Sequence, residues 1–336
     1  MTPTHSRRVT RAFGAHLFSA TTLVAGLGLA GLAQAATNFP EKPLTLVVPY
    51  APGGAADQLA RTTAQLMSDS LGQSIVVENK PGANAQVAAS SVARSPADGY
   101  TMFMASSASM VLNPMLYSKL TYDVKDLSVF AVIAEVPMVA VVNPSVPVNT
   151  LAEFVAYDKA NAGKLNYASV GMGNPMHLAT EMLKKQAGTT TQHVPYNGSA
   201  PALAALMAGD VQFMLDVVST AKPLIEGGKL KALAVTTTER LPALADVPTI
   251  DESGYPGYKA AAWFGLAVPV GVPDDVRAKL LAAADKAMTA DSLRNTFNNL
   301  GLLIQSPRDA DAVATYVEQD TKRWKEVIEQ NQISLD

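Results

Sequence analysis

The sequence predicts an α/β protein whose parallel strands are covered by helices, and three observations carry that prediction. Short apolar runs alternate with amphipathic helical patterns along most of the chain, the signature of parallel sheets flanked by helices. Two glycine-bearing loops, Pro49-Tyr50-Ala51-Pro52-Gly53-Gly54-Ala55-Ala56-Asp57 and Tyr167-Ala168-Ser169-Val170-Gly171-Met172-Gly173-Asn174, each join a strand-like run to a helical pattern. Both loops therefore fall at carboxyl ends of strands, where open α/β sheets bind ligands. A strand, a tight glycine turn and a helix N-terminus together make an anion cradle, because unpaired N–H groups and the positive helix end favour negative charge. Two such cradles suggest a cleft that grips an anionic ligand from both sides.

In order, residues 44–48 read as a buried strand and 55–71 as a helix stopped by Gly72. A strand at 74–78, a turn at 79–82, a small-residue helix at 83–94 and a strand at 101–105 follow. Residues 129–143 form a long apolar run broken by Pro137. Thr150 and Glu153 make a capping box for a helix ending at Gly163. After the second cradle come helix 176–187, strand 192–195, helix 200–208, strand 211–215, helix 219–226 and strand 230–236. The proline-rich stretch 238–258 reads as a surface loop. Strand 263–268 precedes two helices, one beginning at Pro273 with Asp274 and Asp275 in its first turn, the other at Pro307 behind an N-cap Ser306.

Residues 1–35 read as a secretory signal peptide. Arg7, Arg8 and Arg11 form the n-region, 17–32 the h-region, and Ala33-Gln34-Ala35 the cleavage site. Ser6-Arg7-Arg8 leaves a twin-arginine route open, while Thr10 stands where that signal wants an aromatic. Gly26-Leu27-Gly28-Leu29-Ala30-Gly31 matches the dinucleotide-binding spacing but lies inside the h-region with no strand before it. Removing the leader's three arginines takes the formal charge from −3 to −6. An acidic chain without Lys/Arg runs argues against nucleic acid as a partner, and the lack of cysteine excludes disulfides and thiolate chemistry. His177 and His193 are the only histidines after the leader, and no ligand cluster suggests a metal or cofactor.

Further segments carry a resemblance. Thr45-Leu46-Val47-Val48-Pro49-Tyr50, Pro52-Gly53-Gly54, Val76-Val77-Glu78-Asn79-Lys80-Pro81-Gly82, Asp98-Gly99-Tyr100-Thr101, Asn113-Pro114, Tyr167-Ala168-Ser169, His193-Val194-Pro195-Tyr196, Leu233-Ala234-Val235-Thr236, Asp246-Val247-Pro248-Thr249 and Trp263-Phe264-Gly265-Leu266 follow one another along the chain. In this order the sequence resembles the extracytoplasmic solute-binding proteins of tripartite tricarboxylate transporters, often called the Bug type. The resemblance implies a two-domain periplasmic binding protein of the Venus-flytrap kind (type II-like). One domain would comprise 36–135 plus 260–336, the other 136–259, with crossings near Val136 and Ala261. It also implies a monomeric, non-enzymatic periplasmic protein that needs no cofactor. Such a protein captures a small organic carboxylate and delivers it to membrane permease subunits. The cradles would hold the carboxylate through backbone groups and water, and neither contains Lys or Arg.

The expected ligand contacts are Tyr50, Gly53, Gly54 and Ala55 in the first cradle, with Asp57 either touching ligand or capping its helix. Ser169, Gly171 and Asn174 belong to the second cradle, where capping is the alternative role. Ser106, ahead of Ser107, Ser109 and Met110, marks a stretch suited to ligand specificity. Tyr196 and Asp216 end two strands, and Asp216 suits a ligand amine or hydroxyl, a salt bridge or a cap. His177 and His193 read as structural, and Trp263 and Phe264 as interdomain core. Each helix terminus offers about 0.3–1 kcal/mol toward an anion, whereas micromolar affinity needs about 8 kcal/mol, so apolar burial and further hydrogen bonds must supply the rest. Dicarboxylates, citrate-like acids, aromatic carboxylates, acidic amino acids and nicotinate-like acids all fit, and the missing cationic side chain favours one anchored carboxylate. Two other functions remain open: a ligand-sensing partner of a membrane kinase, and an exported hydrolase using Ser169 with His177 or His193 and Asp216. The hydrolase lacks any G-x-S-x-G turn.

Overall fold

The computed structural model describes residues 38–304 and 310–331. The expected leader at 1–35 and the helix start at Ser306 and Pro307 lie outside the described residues. Strand β1 (Leu44–Val48) leads through α1 (Ala55–Leu71), β2 (Ile75–Asn79) and α2 (Gln86–Ala93) to β3 (Thr101–Ser106). A π-helical turn, Ala108–Leu112, runs into the short α3 (Asn113–Leu116), and the long β4 (Leu127–Val142) follows. Next come α4 (Leu151–Ala160), β5 (Asn166–Ser169), α5 (Pro175–Ala187), β6 (Gln192–Pro195), α6 (Ser199–Ala208), β7 (Phe213–Val217), α7 (Val218–Glu226) and β8 (Lys231–Val235). The chain closes with β9 (Ala261–Pro269), α8 (Asp274–Thr289), α9 (Asp291–Asn299), β10 (Leu303–Ile304) and α10 (Ala310–Asn331).

The sheet is mixed rather than wholly parallel. In one ladder β1 pairs in parallel with β2 and β3. In the other, β5 pairs in parallel with β6 and β7. Antiparallel β4 and β9 stitch the two together: β4 pairs with β9 as far as Pro137 and with β7 from Met138. The order is β2-β1-β3-β9-β4-β7-β5-β6. The order reverses between β1 and β3 and again between β5 and β7, so each ladder has a topological switch point at the strand that feeds a cradle.

Pro137 does not interrupt β4, contrary to the sequence reading. A proline removes one ladder donor, and here it falls where the strand changes partners; the next amide, Met138 N–H, donates to Thr236 Oγ1 at 3.1 Å. The helix expected from residue 83 begins only at Gln86, because Ala83, Asn84 and Ala85 adopt positive φ of 46°, 49° and 72°. Asn84 is held in this strained turn by donating to Asn113 Oδ1 and accepting at its carbonyl from Asn113 Nδ2, both at 2.8 Å. The capping box forms only by half: Thr150 Oγ1 accepts from Glu153 N–H, but Glu153 accepts from Asn149 N–H instead of Thr150. That helix ends at Ala160, before Gly163. The stretch 238–258 is not simply surface either, since Leu241, Leu244, Ile250 and Tyr258 are buried and Tyr258 donates to Ala179 O at 2.7 Å. The π-turn, α3 and α9 have no counterpart in the sequence reading.

Candidate functional site

Four helices aim their N-termini at one small cavity between the two ladders. From the first cradle come Tyr50, Gly54, Ala55 and Ala56 at the start of α1. Asn174, Pro175 and Met176 open α5, Ser199 opens α6, and Val217 precedes α7. Ser106 and Ser107 close one side, and Val170, Ala262 and Phe264 add apolar wall. The cavity measures about 30 Å³, room for roughly two water-sized spheres. The first amides of each helix have no carbonyl one turn back to bond, so the field at this point favours an anion.

The first cradle leaves its helix end bare. Gly54 is the N-cap of α1 and contributes no side-chain cap. Asp57 does not reach the cavity: its carboxylate accepts from Gly53 N–H, Arg61 and Asn79 Nδ2 at 2.9–3.0 Å. Burial works against its charge, but Arg61 and the other donors outweigh it and hold the carboxyl below its ordinary range. Gly53 is thereby committed to Asp57, while Gly54 and Ala55 face the cavity.

Tyr50 and Ser106 stand together, their hydroxyls 3.2 Å apart. Burial raises the Tyr50 pKa, partly offset by its bonds to Ser106 and Asn174. Ser106 exchanges hydrogen bonds with Ser109 in the π-turn. Ser107 Oγ accepts from Trp263 N–H at 3.2 Å. Trp263 is fully buried and donates through its indole to Asp320, whereas Phe264 meets Tyr50 edge-on at 6.4 Å on the cavity wall.

The second cradle is capped by its own side chain. Asn174 Oδ1 accepts from Met176 N–H at 3.2 Å, and Pro175 supplies no N–H at all. Asn174 Nδ2 reaches across to Tyr50 Oη at 3.3 Å and Asn84 Oδ1 at 3.4 Å. Gly171, at φ +142°, packs against Asn84, whose Oδ1 would lie 3.2 Å from an added Cβ. Ser169 points behind the loop: its Oγ accepts from Gly171 N–H and lies 2.6 Å from His193 Nε2. His193 stacks on His177 at 4.1 Å between centroids, and His177 Nδ1 accepts from Gly173 N–H. Burial pushes the His177 pKa down to about 4; for His193, burial and the neighbouring His177 and Lys184 push it to about 3. The pair is a neutral backing for the loop. Asp216 is far from completing a triad, because Ser199 and Thr220 hold it, and no described carboxylate pairs with His193.

Tyr196 is half-buried and stands off the cavity; its N–H donates to Ser169 O. Asp216 lies directly behind Ser199. The structure thus gathers Tyr50, Gly54, Ala55, Ser106 and Asn174 on the cavity wall, with Gly53, Asp57, Ser169, Gly171, Tyr196 and Asp216 set behind or beside it. The sequence reading missed Ser199, Val217 and the α6 terminus. Gly198-Ser199 before a helical pattern was the available signal, but this loop lacks a paired glycine turn like those of the two cradles. Gly198 has φ +139°, and a Cβ there would approach Ala51 N to 3.2 Å, beside the bond from Ala51 N–H to Asn197 O at 2.9 Å. Among the described residues there is no group of three or more candidate metal ligands and no helix long and apolar enough to cross a membrane.

Comparison with known proteins identifies the fold and the family. The structure of R. palustris Rpa4515 with adipate aligns at TM-score 0.85 and 35% identity, covering 88% of this chain and 99% of that one. The periplasmic binding protein BugD aligns at TM-score 0.85 and 32% identity over 88% and 99% of the two chains. MatC from Rhodopseudomonas palustris with bound malate aligns at TM-score 0.82 and 34% identity over 86% and 100%. The fold is that of the Venus-flytrap solute-binding proteins. A family profile described as tripartite tricarboxylate transporter family receptor matches residues 59–333. By sequence and by fold the chain belongs to this family of receptors, which are binding proteins and not enzymes.

Proposed function

We propose that this protein is a periplasmic receptor that closes two lobes around one small organic carboxylate and passes it to the permease subunits of a tripartite transporter. The observation that carries the reading is the convergence of helix N-termini on one cavity with no Lys or Arg in its lining. Backbone amides from α1 and α6 and the Tyr50 and Ser106 hydroxyls would hold the carboxylate. Val170, Met176 and Phe264 would cover the remainder of the ligand, each Å² of apolar burial giving about 25 cal/mol. The adipate and malate bound by relatives belong to the class this site suits.

The lobes in this reading are 36–135 plus 260–336, and 136–259, with one crossing where β4 leaves β9 for β7 and the other at the start of β9. Capture would then proceed by the lobes parting to admit the ligand and closing around it. Export by the leader at 1–35 and action as a monomer complete the proposal. Thermal unfolding against a panel of small carboxylates, adipate and malate included, tests it. A ligand at a hundred times its dissociation constant should add about 2.7 kcal/mol, and X-ray scattering should show compaction on binding. A panel without any stabilising carboxylate would sink the reading.

A further inference from the structure

Ser199 and Asp216 form a built polar pair on the cavity wall whose proton arrangement is one-sided. Ser199 lines the cavity and is 6% exposed. It donates its only proton to Asp216 Oδ1 at 2.6 Å. The other Asp216 oxygen accepts from Thr220 Oγ1, also at 2.6 Å, and the Val217 amide is a third donor. Asp216 is fully buried, and among the described residues it has no cationic partner. When ionised, the Asp216 carboxylate is an acceptor only, so it fixes the direction of the Ser199 hydroxyl. With its proton on Asp216, Ser199 Oγ has only lone pairs left to offer a ligand, and no described group donates to them.

We infer that the Ser199–Asp216 pair selects ligands bearing a hydroxyl or ammonium group close to the bound carboxylate. This rests on the receptor reading above and narrows it. The Ser199 backbone amide is adjacent to the first cradle, since a Cβ built on Gly54 would lie 3.8 Å from Ser199 N. The amides that attract the carboxylate and the oxygen that demands a donor therefore occupy one spot. A 2-hydroxy or 2-amino acid satisfies both from neighbouring atoms. A plain acid leaves the serine lone pairs facing carbon, and a second carboxylate or a keto oxygen sets lone pair against lone pair with the Asp216 charge behind. Sites built to bond a ligand hydroxyl reject the analogue lacking it by large factors.

Calorimetric titration of the purified protein with matched acids tests the pair: succinate against malate and aspartate, glutarate against 2-hydroxyglutarate, propionate against lactate. The hydroxylated or aminated member should bind at least about tenfold more tightly in one set. Ser199→Ala should bring that ratio to about one. Thr220→Val, which loosens Asp216 without touching the cavity, should reduce the ratio partially. If either variant unfolds, the ratio for the unaltered protein decides alone. Carboxylates bound without such a preference, or a ratio that survives Ser199→Ala, overturn this inference and leave the receptor reading standing. Binding of none of these acids or of adipate overturns both.

Discussion

The two glycine loops that look alike in sequence do different physical work. At the β1–α1 loop the helix end is open: Gly54 has no side chain to cap it, Asp57 is engaged with Gly53, Arg61 and Asn79, and the α1 amides face the cavity. At the β5–α5 loop the helix end is spent: Asn174 caps Met176, Pro175 has no amide to offer, and the loop leans on the stacked pair His177 and His193. The open end recurs elsewhere, at Gly198 and Ser199 of the β6–α6 loop. The difference teaches that a glycine turn before a helix attracts an anion only where the next residues leave the amides free. Otherwise it shapes a wall.

The largest effect should separate the loops by pH. Both histidines have folded pKa values below the ordinary 6.5, so their contribution to stability is present above that pH and is lost as the pH falls toward about 4 and about 3. Asp216 opposes them: burial, the dominant cause, raises it to about 6, so its contribution is present in acid and lost as the pH rises through that value. Between pH 6.5 and 5 the two histidines oppose Asp216 and also Asp320, whose pKa burial likewise raises. For each proton by which the histidines prevail on unfolding, stability should fall by up to about 1.4 kcal/mol per pH unit. Denaturant midpoints across that window measure the slope, and His193→Gln should flatten it. An unchanged slope would show that the second loop does not rest on a neutral ring at 193.

A backbone test sharpens the contrast further. Ala55→Pro gives α1 the same start that Pro175 gives α5, in a position where helices accept proline, and Gly54 already has the extended conformation that proline demands of its predecessor. Carboxylate affinity should fall at least tenfold, about 1.4 kcal/mol, with little change in Tm; undiminished affinity would mean the Ala55 amide is not part of the site. The smallest effect is expected for Asn174→Ala. Loss of the cap should cost about 1 kcal/mol of stability, seen as a drop of a few degrees in Tm, with a lesser effect on binding. A larger loss of affinity than of stability would move Asn174 from wall to ligand contact.

Local chemistry was legible where a few neighbouring residues decide the outcome. The α1 boundaries at 55 and 71 follow from an amphipathic run between Gly54 and a Gly72 that takes the left-handed cap conformation. The neighbouring 83–85 stretch was not legible, because its strained turn is held by Asn113 from 29 residues away. The continuity of β4 through Pro137 was hidden for the same reason, since its partners come from β9 and β7. In the site, Gly54, Ala55 and Asn174 could be placed from their own loops. Ser199 could not, because its meaning comes from Asp216 behind it and the cavity in front.

By itself the sequence determined the alternation of strands and helices, most element positions, the glycine turns at strand ends and the family. These rest on periodicity, backbone conformational preference and capping, which act over a handful of residues. The tertiary structure alone decided which helix ends converge, which amides remain unpaired and which way the Ser199 hydroxyl points. Those outcomes depend on partners brought together across the sheet, and a hydrogen-bond donor is available to a ligand only when the whole fold has left it unclaimed.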